Sequence, residues 1–595
     1  MKMEITRTFD LLDRYSKNFN RDNVLNQKTG GKWVGLSALE YIGMSHSFSY
    51  GLMALGYKKG DKIATVSNNR PEWNIVDMGM AMLGVVHVPV FTSLSEDEYR
   101  HILQHSDARS VIVSDPGLFR KIQAASKDLK SIEAIFSFED IPDARSWKDI
   151  LEKGKEGREK FAGPLEKIKE KIVPGDFATL IYTSGTTGVS KGVMLSHENL
   201  VQNFLAAAKV FDLNAEDNYL SILPLCHVGG RLGNYQTQYS GSAIYYAENM
   251  GTIAANMKEI KADGFDTVPR ILEKIFDNVV AKGKNLKGIK KKIYYWAIRI
   301  GLKYKLDEES SWLYKKKHAF ADKMIYSKWR EALGGKLRLA GCGGASLQAR
   351  LERVFWAAGI KIINMYGLTE TSPIITINRQ KPPLVKLGTV GPVIDGVEIK
   401  IAGDGEILCR GHNVMLGYYK DPELTKEVLD GEGWFHTGDI GSLEEGIFLA
   451  VTDRKKEIFK LSNGKYIAPQ VIEGRLKESV FVDQSMVVGE KEKQPGALIS
   501  PDFSHLANWC KSNDLDFNNR EELIQLPQVH DIFKEEIKKL NKMLSSPERI
   551  GRYKLVPHVW GPETGELSPT LKLRRKYVMA KYEKDISDIY VRKGI

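Results

Sequence analysis

From Tyr182 to His197 the chain reads YTSGTTGVSKGVMLSH, and between Thr183 and Lys191 there is almost no bulk: Thr183, Ser184, Gly185, Thr186, Thr187, Gly188 and Ser190 precede the lysine. Small residues let a backbone turn its N–H groups inward, hydroxyls add donors, and the lysine adds positive charge. That chemistry suits a polyphosphate. A Walker loop requires Gly-x4-Gly-Lys-Ser/Thr, whereas here Ser190 stands five residues after Gly185 and Gly192 follows Lys191, so this is a phosphate loop of another kind. A flexible linker is the bland alternative. It is disfavoured because the stretch leaves an apolar run, Phe177 to Ile181, and leads straight back into Val193, Met194 and Leu195.

Four further stretches carry groups that suit a nucleotide. Asn364–Ser372 offers Tyr366 as a flat face for a base, Gly367 beside it, the Thr369 hydroxyl, and Glu370, a hard carboxylate of the kind Mg²⁺ prefers. Gly433–Asp439 presents Asp439 in what reads as a tight glycine turn, where a carboxylate can accept both ribose hydroxyls. A charged strip from Thr452 to Glu457 contains Arg454, and Lys572 sits in a loop near the end of the chain. Singly, each has a dull explanation, a structural turn or a solvated lysine. Their order along the chain is the informative feature.

In that order the motifs YTSGTTGVSKGVMLSH, YGLTET, GWFHTGD and DRKKEIFKLSNGKYI resemble those of the adenylate-forming superfamily, and of its long-chain fatty acid–CoA ligases in particular. The resemblance runs from roughly Ala38 to Lys576. It implies a fatty acid activated by ATP with Mg²⁺ to an acyl-adenylate, then transferred to coenzyme A with release of AMP. Carried onto these positions, Thr183 to Lys191 would hold the β- and γ-phosphates, Tyr366 would stack on adenine, Thr369 would touch the α-phosphate, and Glu370 would hold the metal. Asp439, helped by Arg454, would bind the ribose. Lys572 would bridge the substrate carboxylate and the α-phosphate, Lys456 would be the hinge of a rotating small domain, and Gly464 would line the coenzyme A path.

By the same resemblance His227, Gly343, Gly344 and Ala345 line the acyl pocket. The family usually has an aromatic and an acidic residue after Pro-Leu-x-His-Val, where this chain has Gly229 and Gly230 before Arg231. It also has Leu571 before the loop lysine, a place where the wider superfamily commonly has glycine. Two alternatives stand beside ligation to coenzyme A: a fatty acyl-AMP ligase serving an acyl-carrier protein, and a catalytically silent lipid- or nucleotide-binding relative.

The elements that must position these groups read as α/β. Candidate strands are Ile63–Ser67, Ser110–Ser114, Ala134–Phe138, Ala178–Tyr182, Tyr219–Leu223, Ala243–Tyr246, Leu337–Ala340 and Ile360–Asn364, with helical stretches such as Glu96–Gln104 between them. Gly341–Ser346 has a serine where the third glycine of a dinucleotide fingerprint belongs, so it is a weak Rossmann signal. After Pro392 the texture becomes short β elements, and beyond Lys456 a small α+β unit follows. The expected architecture is a large multi-subdomain α/β body with a β-rich subdomain, residues 1–455, plus a small mobile α+β domain, 456–595.

A chain of 595 residues with four cysteines and no CxxC pair excludes a disulfide scaffold or zinc ribbon, and its net charge of +11 favours acidic partners. No apolar run is long enough to span a bilayer and the first residues lack a secretion signal, so the expected place is the cytoplasm. Residues 282–317 alternate lysines with Ile293, Trp296, Ala297 and Ile300 at helical spacing. Such a helix suits an anionic membrane, against the commoner alternative that its stripe packs on the domain. A homodimer is a further expectation, and nucleic acid is not.

Overall fold

The computed structural model describes residues 4–184, 190–306, 310–568 and 570–590. Gly185, Thr186, Thr187 and Gly188 lie outside the described residues, as does the side chain of Ser184. Two eight-stranded sheets form the body. In one, Val86–Val90, Lys62–Val66, Ser110–Val113, Ala134–Ser137 and Arg145–Ser146 run parallel beside Phe177–Ser184, and the hairpin strand Ser190–Ser196 and then Gly417–Tyr418 extend that edge antiparallel. In the other, Gly264–Thr267, Leu339–Cys342 and Lys361–Gly367 are parallel neighbours, closed by the antiparallel strand Ile374–Ile377.

Helices Ala38–Ala54, Pro71–Leu83, His197–Phe211 and Val228–Ser240 supply most of the largest core, which joins residues of both sheets: Phe48, Trp73, Phe204, Tyr235, Ile181 and Ile363 among them. Nearly continuous apolar strands, such as Val86–Val90, read this way because both faces are covered. An antiparallel four-stranded sheet follows: Val397–Ile401, Glu406–Gly411, Phe435–Glu444 and Phe448–Arg454. The small domain packs Val482–Val488, Gly496–Pro501 and Arg552–Leu555 against its own helices and has its own cores.

Several expectations change. Lys191 lies not in a loop but on the strand Ser190–Ser196, paired antiparallel with Thr183. Asp439 is not in a turn but inside the strand Phe435–Glu444, one residue after Gly438 at φ +70°. The basic helix is Gly288–Leu302, and its inward face carries Tyr294, Ala297, Ile298 and Gly301, with Ile293, Trp296 and Ile300 partly buried against the same core. Its apolar stripe packs on the domain.

One buried network fixes the helix Val228–Ser240. Arg231 donates from Nε to the Tyr235 hydroxyl (2.8 Å) and from Nη1 to Thr179 (2.6 Å), and pairs with Asp77, which also accepts from Tyr235 and meets His87 Nδ1 at 2.7 Å. Burial alone would raise the Asp77 pKa, but Arg231 and His87 outweigh it and hold the carboxylate ionised. Arg231 thus serves the core. Gly230 has a reason too: a Cβ there would meet the Pro224 carbonyl oxygen at 2.4 Å. Removing one partner of a buried pair costs about 3–5 kcal/mol. Asp77→Asn is therefore expected to lower the unfolding free energy of the body by about 3 kcal/mol, read as a lower denaturant midpoint with an unchanged slope.

Candidate active site

Two linked carboxylate groups form the centre of the site. Glu370, in the one-turn helix Thr369–Thr371 at the end of Lys361–Gly367, is buried. Its Oε1 lies 3.1 Å from Lys191 Nζ and accepts from the Tyr418 hydroxyl at 2.8 Å, while Lys191 also donates to that hydroxyl. Burial would raise its pKa, but Lys191 and Tyr418 reverse the shift, so Glu370 is an anion at neutral pH. Gly367 is required where it stands, because a Cβ would lie 1.7 Å from the Pro373 carbonyl oxygen.

Asp439 is the second. It sits directly across the antiparallel ladder from Arg454, whose Nε is 3.2 Å from Oδ1, and Oδ2 accepts from the Tyr366 hydroxyl at 2.9 Å. Here burial prevails over Arg454 and raises the Asp439 pKa. Tyr366, at the end of its strand, thereby ties the one-turn helix of Thr369 and Glu370 to Asp439 in the middle of Phe435–Glu444. The Thr183 hydroxyl, at the base of the hairpin, is buried without a hydrogen-bond partner. A buried donor without a partner, on the residue paired with Lys191, is the local signature of a site built for a ligand.

Lys572 reaches the same place from the small domain. Its loop is closed by the Lys572 N–H on Ser568 Oγ (3.0 Å), the Ser568 N–H on the Lys572 carbonyl (2.7 Å), and a bridge between Leu567 and Leu573. The residue is exposed. Surrounding protein nevertheless lowers the lysine pKa by desolvation, with Arg454 acting in the same sense and Asp439, Glu370 and Glu457 opposing. Leu571 holds φ +61°, the left-handed region that favours glycine, while its side chain packs against the cluster of Leu567 and Trp560. Packing offsets a backbone cost on the order of 1–2 kcal/mol.

His227 caps the helix Val228–Ser240, its Nδ1 accepting from the Gly229 N–H at 3.1 Å. Desolvation, followed by the Lys572 charge, pushes its pKa down to about 4. Gly343 faces Met365, Gly344 adopts φ +83°, and Gly344 and Ala345 are exposed at the end of Leu339–Cys342. Lys456 is exposed in the turn after Phe448–Arg454. Its neighbours are tied to opposite sides: Lys455 to Asp404 (2.6 Å) and Glu406 (2.8 Å), and Glu457 to Arg575 (2.7 Å) and Gln470 (2.8 Å). Gly464 stands on an exposed turn, its N–H bonded to Leu461, and the structure does not link it to the carboxylates.

Sequence reasoning missed Tyr418. It enters through a two-residue edge strand paired with Ser190–Ser196, with its ring 3.9 Å from Lys191 Nζ. The run Gly417-Tyr418-Tyr419 carries no charge signal, so only the pairing reveals it.

Residues 18–419 match the AMP-binding enzyme family and residues 456–594 match the C-terminal domain of AMP-binding enzymes, so the chain belongs to that family. Long-chain-fatty-acid–CoA ligase FadD15 of Mycobacterium tuberculosis is 31% identical over 577 residues, spanning 96% of this chain and 94% of that protein. The peroxisomal long chain acyl-CoA synthetase 7 of Arabidopsis thaliana is 29% identical over 609 residues, 97% of this chain and 85% of that one. The anthranilate CoA ligase AuaEII, solved in complex with anthranoyl-AMP, shares the fold with a TM-score of 0.72 over 98% of both chains at 18% identity.

A histidine whose folded pKa lies below its unfolded value binds fewer protons folded, so its contribution is present above the ordinary pKa and is lost as pH falls toward the folded one. Wild-type protein is expected to lose more unfolding free energy than His227→Gln between pH 7 and pH 5, measured by denaturant titration at each pH; equal losses would show that His227 is not held neutral.

Proposed function

We propose that this chain is an AMP-forming long-chain fatty acid–CoA ligase whose site is the cluster of Lys191, Glu370, Asp439, Arg454 and Lys572. The observation that carries the reading is the pairing of Lys191 with Glu370 (3.1 Å) and of Arg454 with Asp439 (3.2 Å) in one site, with Lys572 of the small domain near enough to feel both carboxylates. Full-length similarity to the mycobacterial and plant enzymes supports the substrate class.

In the first step a carboxylate oxygen of the acid attacks the α-phosphorus of ATP, forming the acyl–phosphate bond as the bond to pyrophosphate breaks. Two anions converge there, and fixed positive charge at Lys572 favours the approach. Desolvation and Arg454 lower the Lys572 pKa, and Asp439 and Glu370 oppose them, so arriving phosphates favour its charged form further. Asp439, aligned by Arg454 and Tyr366, accepts the ribose hydroxyls, and Tyr366 lies against adenine. The hairpin from Thr183 to Lys191, including Ser184, Gly185, Thr186, Thr187 and Gly188, cradles the outer phosphates, with the orphan Thr183 hydroxyl as one donor. Mg²⁺ fits a site with one buried carboxylate, Glu370, beside phosphate oxygens and would supply charge neutralisation there.

In the second step the coenzyme A thiolate attacks the acyl carbonyl carbon and AMP departs with the bonding electrons. The domain boundary falls at 455/456, and rotation about Lys456 withdraws Lys572 and brings the face containing Gly464 to the acyl-adenylate. His227 and Gly343 to Ala345 border the acyl chain. Delivery to an acyl-carrier protein differs only in the acceptor, so thioester yield with each acceptor decides between them.

Lys572→Met is expected to slow acid-dependent exchange of pyrophosphate into ATP by about 10²–10³-fold, while thioester formation from supplied acyl-adenylate stays within a few-fold of wild type. Equal loss in both assays would remove the assigned role, and no exchange with any acid by wild-type protein would remove the ligase reading.

Within residues 282–317, peripheral membrane contact falls to the C-terminal part rather than to the helix Gly288–Leu302. The helix Trp312–Ala321 exposes Trp312 (68%), Leu313 (55%) and Phe320 (50%) beside Lys315, Lys316 and Lys317, with Lys316 Nζ 3.9 Å from the Trp312 ring. Apolar groups flanked by lysines suit the headgroup region of an anionic bilayer. None of the described helices is long and apolar enough to cross one. Co-sedimentation with vesicles containing phosphatidylserine is expected for wild type and to fall by about tenfold for Trp312→Ala/Leu313→Ser; retention undiminished by those changes would exclude this face.

A further inference from the structure

Thr183, Lys191 and Tyr418 stand on three neighbouring strands at the edge of one sheet: Phe177–Ser184, Ser190–Ser196 and the two-residue strand Gly417–Tyr418. Side chains alternate along a strand, so Thr183 and Lys191, paired with each other, face one way, while Tyr182, paired with Gly192, faces the other. The Tyr182 ring lies over Gly192, where a Cβ would meet Leu180 Cδ1 at 2.8 Å and Tyr182 Cζ at 3.3 Å.

That second face is covered by the helix Glu96–Ser106, whose Tyr99, Ile102 and Leu103 share a hydrophobic cluster with Leu180, Tyr182, Met194 and Tyr419. Apolar packing is non-directional, and the helix adds directed contacts to each strand. His105 Nδ1 lies 2.7 Å from the Tyr182 hydroxyl. His101, one turn earlier with its ring stacked on that of His105 at 5.5 Å, donates from Nε2 to the Ser190 carbonyl oxygen at 3.0 Å. At the C-terminal end of the helix Asp107 accepts from the Tyr419 hydroxyl and from Lys420 Nζ, both at 2.9 Å, and Lys420 also donates to the His105 carbonyl oxygen at 3.0 Å. Asp107 and Lys420 hold left-handed backbone, φ +54° and +57°. Non-glycine residues persist there when their surroundings over-determine them.

Each directed contact falls on a residue next to one that the site uses: Tyr182 beside Thr183, Ser190 beside Lys191, Tyr419 beside Tyr418. A strand displaced on the helix side therefore displaces its neighbour on the site side, and polar contacts to a ligand are lost over about an ångström.

We infer that His105, His101 and Asp107 are positioning residues for the outer phosphates of the nucleotide, setting from the remote face the three strands that present Thr183, Lys191 and Tyr418. The inference rests on the reading of those strands as the cradle of the β- and γ-phosphates. Because these residues act through the strands rather than on the ligand, they leave untouched the AMP portion, which that reading assigns to Tyr366 and Asp439 on other sheets.

Calorimetric titration of the full-length chain with ATP and with AMP, each with Mg²⁺ and without acid, separates this role from a structural one. His105→Ala is expected to raise the ATP dissociation constant about three- to tenfold, the range of one lost hydrogen bond, and to leave the AMP constant within about twofold of wild type. Equal weakening toward both nucleotides overturns the inference, because a loosened fold acts on both, and so does an unchanged ATP constant. Should His105→Ala fail to fold, Tyr182→Phe decides. It keeps the ring and removes only the hydroxyl that meets His105, so it must give the same split between ATP and AMP, and a variant without that split overturns the inference. Wild-type protein that binds ATP but exchanges no pyrophosphate with any acid fails the ligase reading alone, and the split between the nucleotides still decides the role of the helix.

Discussion

The constraint on which the rest of the molecule depends is electrostatic: Lys191 and Arg454 are held on the buried carboxylates Glu370 and Asp439, with Lys572 near enough to feel both. Isolated, each would shed its charge or lose contact with its neighbours. Together they hold one another in place. Tyr418 bridges Lys191 and Glu370, and Tyr366 and Arg454 hold the two oxygens of Asp439. The two carboxylates are tuned apart, Glu370 below its ordinary pKa and Asp439 above it, because Glu370 has a lysine and a tyrosine at contact distance while burial dominates at Asp439.

Three sheets are needed to achieve this. The hairpin edge brings Lys191 and, through the short Gly417–Tyr418 strand, its tyrosine. The end of Lys361–Gly367 brings Tyr366 and Glu370, and the antiparallel ladder of the β-rich subdomain sets Arg454 opposite Asp439. The small domain adds Lys572 from a loop pinned on itself by Ser568. Because that domain has its own core, its approach to the body is a docking of two folded units rather than a continuation of one. Arg270–Asp483 and the Gln470 N–H on Asp453 (3.0 Å) are among the contacts that hold the docked arrangement.

Under the cleft, polar groups in the body serve two different ends. Arg231, Asp77, His87 and Tyr235 satisfy one another and lock the Val228 helix between the sheets. On the opposite side of that helix Asp266 accepts from the Tyr219 hydroxyl, while the Gln236 amide is buried without a partner. One helix thus has a closed network on one side and open hydrogen-bonding capacity on the other, and the glycines at 229, 230 and 233 let the backbone approach both.

Local features were legible in the amino-acid order. Apolar runs marked strands such as Ala243–Tyr246, and the sequence of loop, aromatic-carboxylate turn, Gly-Asp motif and late lysine identified the groups that meet. Such features are written in neighbouring residues, where propensity and spacing act directly. Partnerships were not legible. That Asp439 lies on a strand opposite Arg454, that Lys191 faces Thr183 across a hairpin, that Tyr418 joins the cluster, and that the Gly288 helix turns its stripe inward all depend on which strand pairs with which and what covers it. Asp266 shows the limit most clearly. In sequence it is one acid before Thr267 and Val268, and only the register against Gly341 and the absent side chain of Gly233 make it a buried carboxyl packed against both backbones.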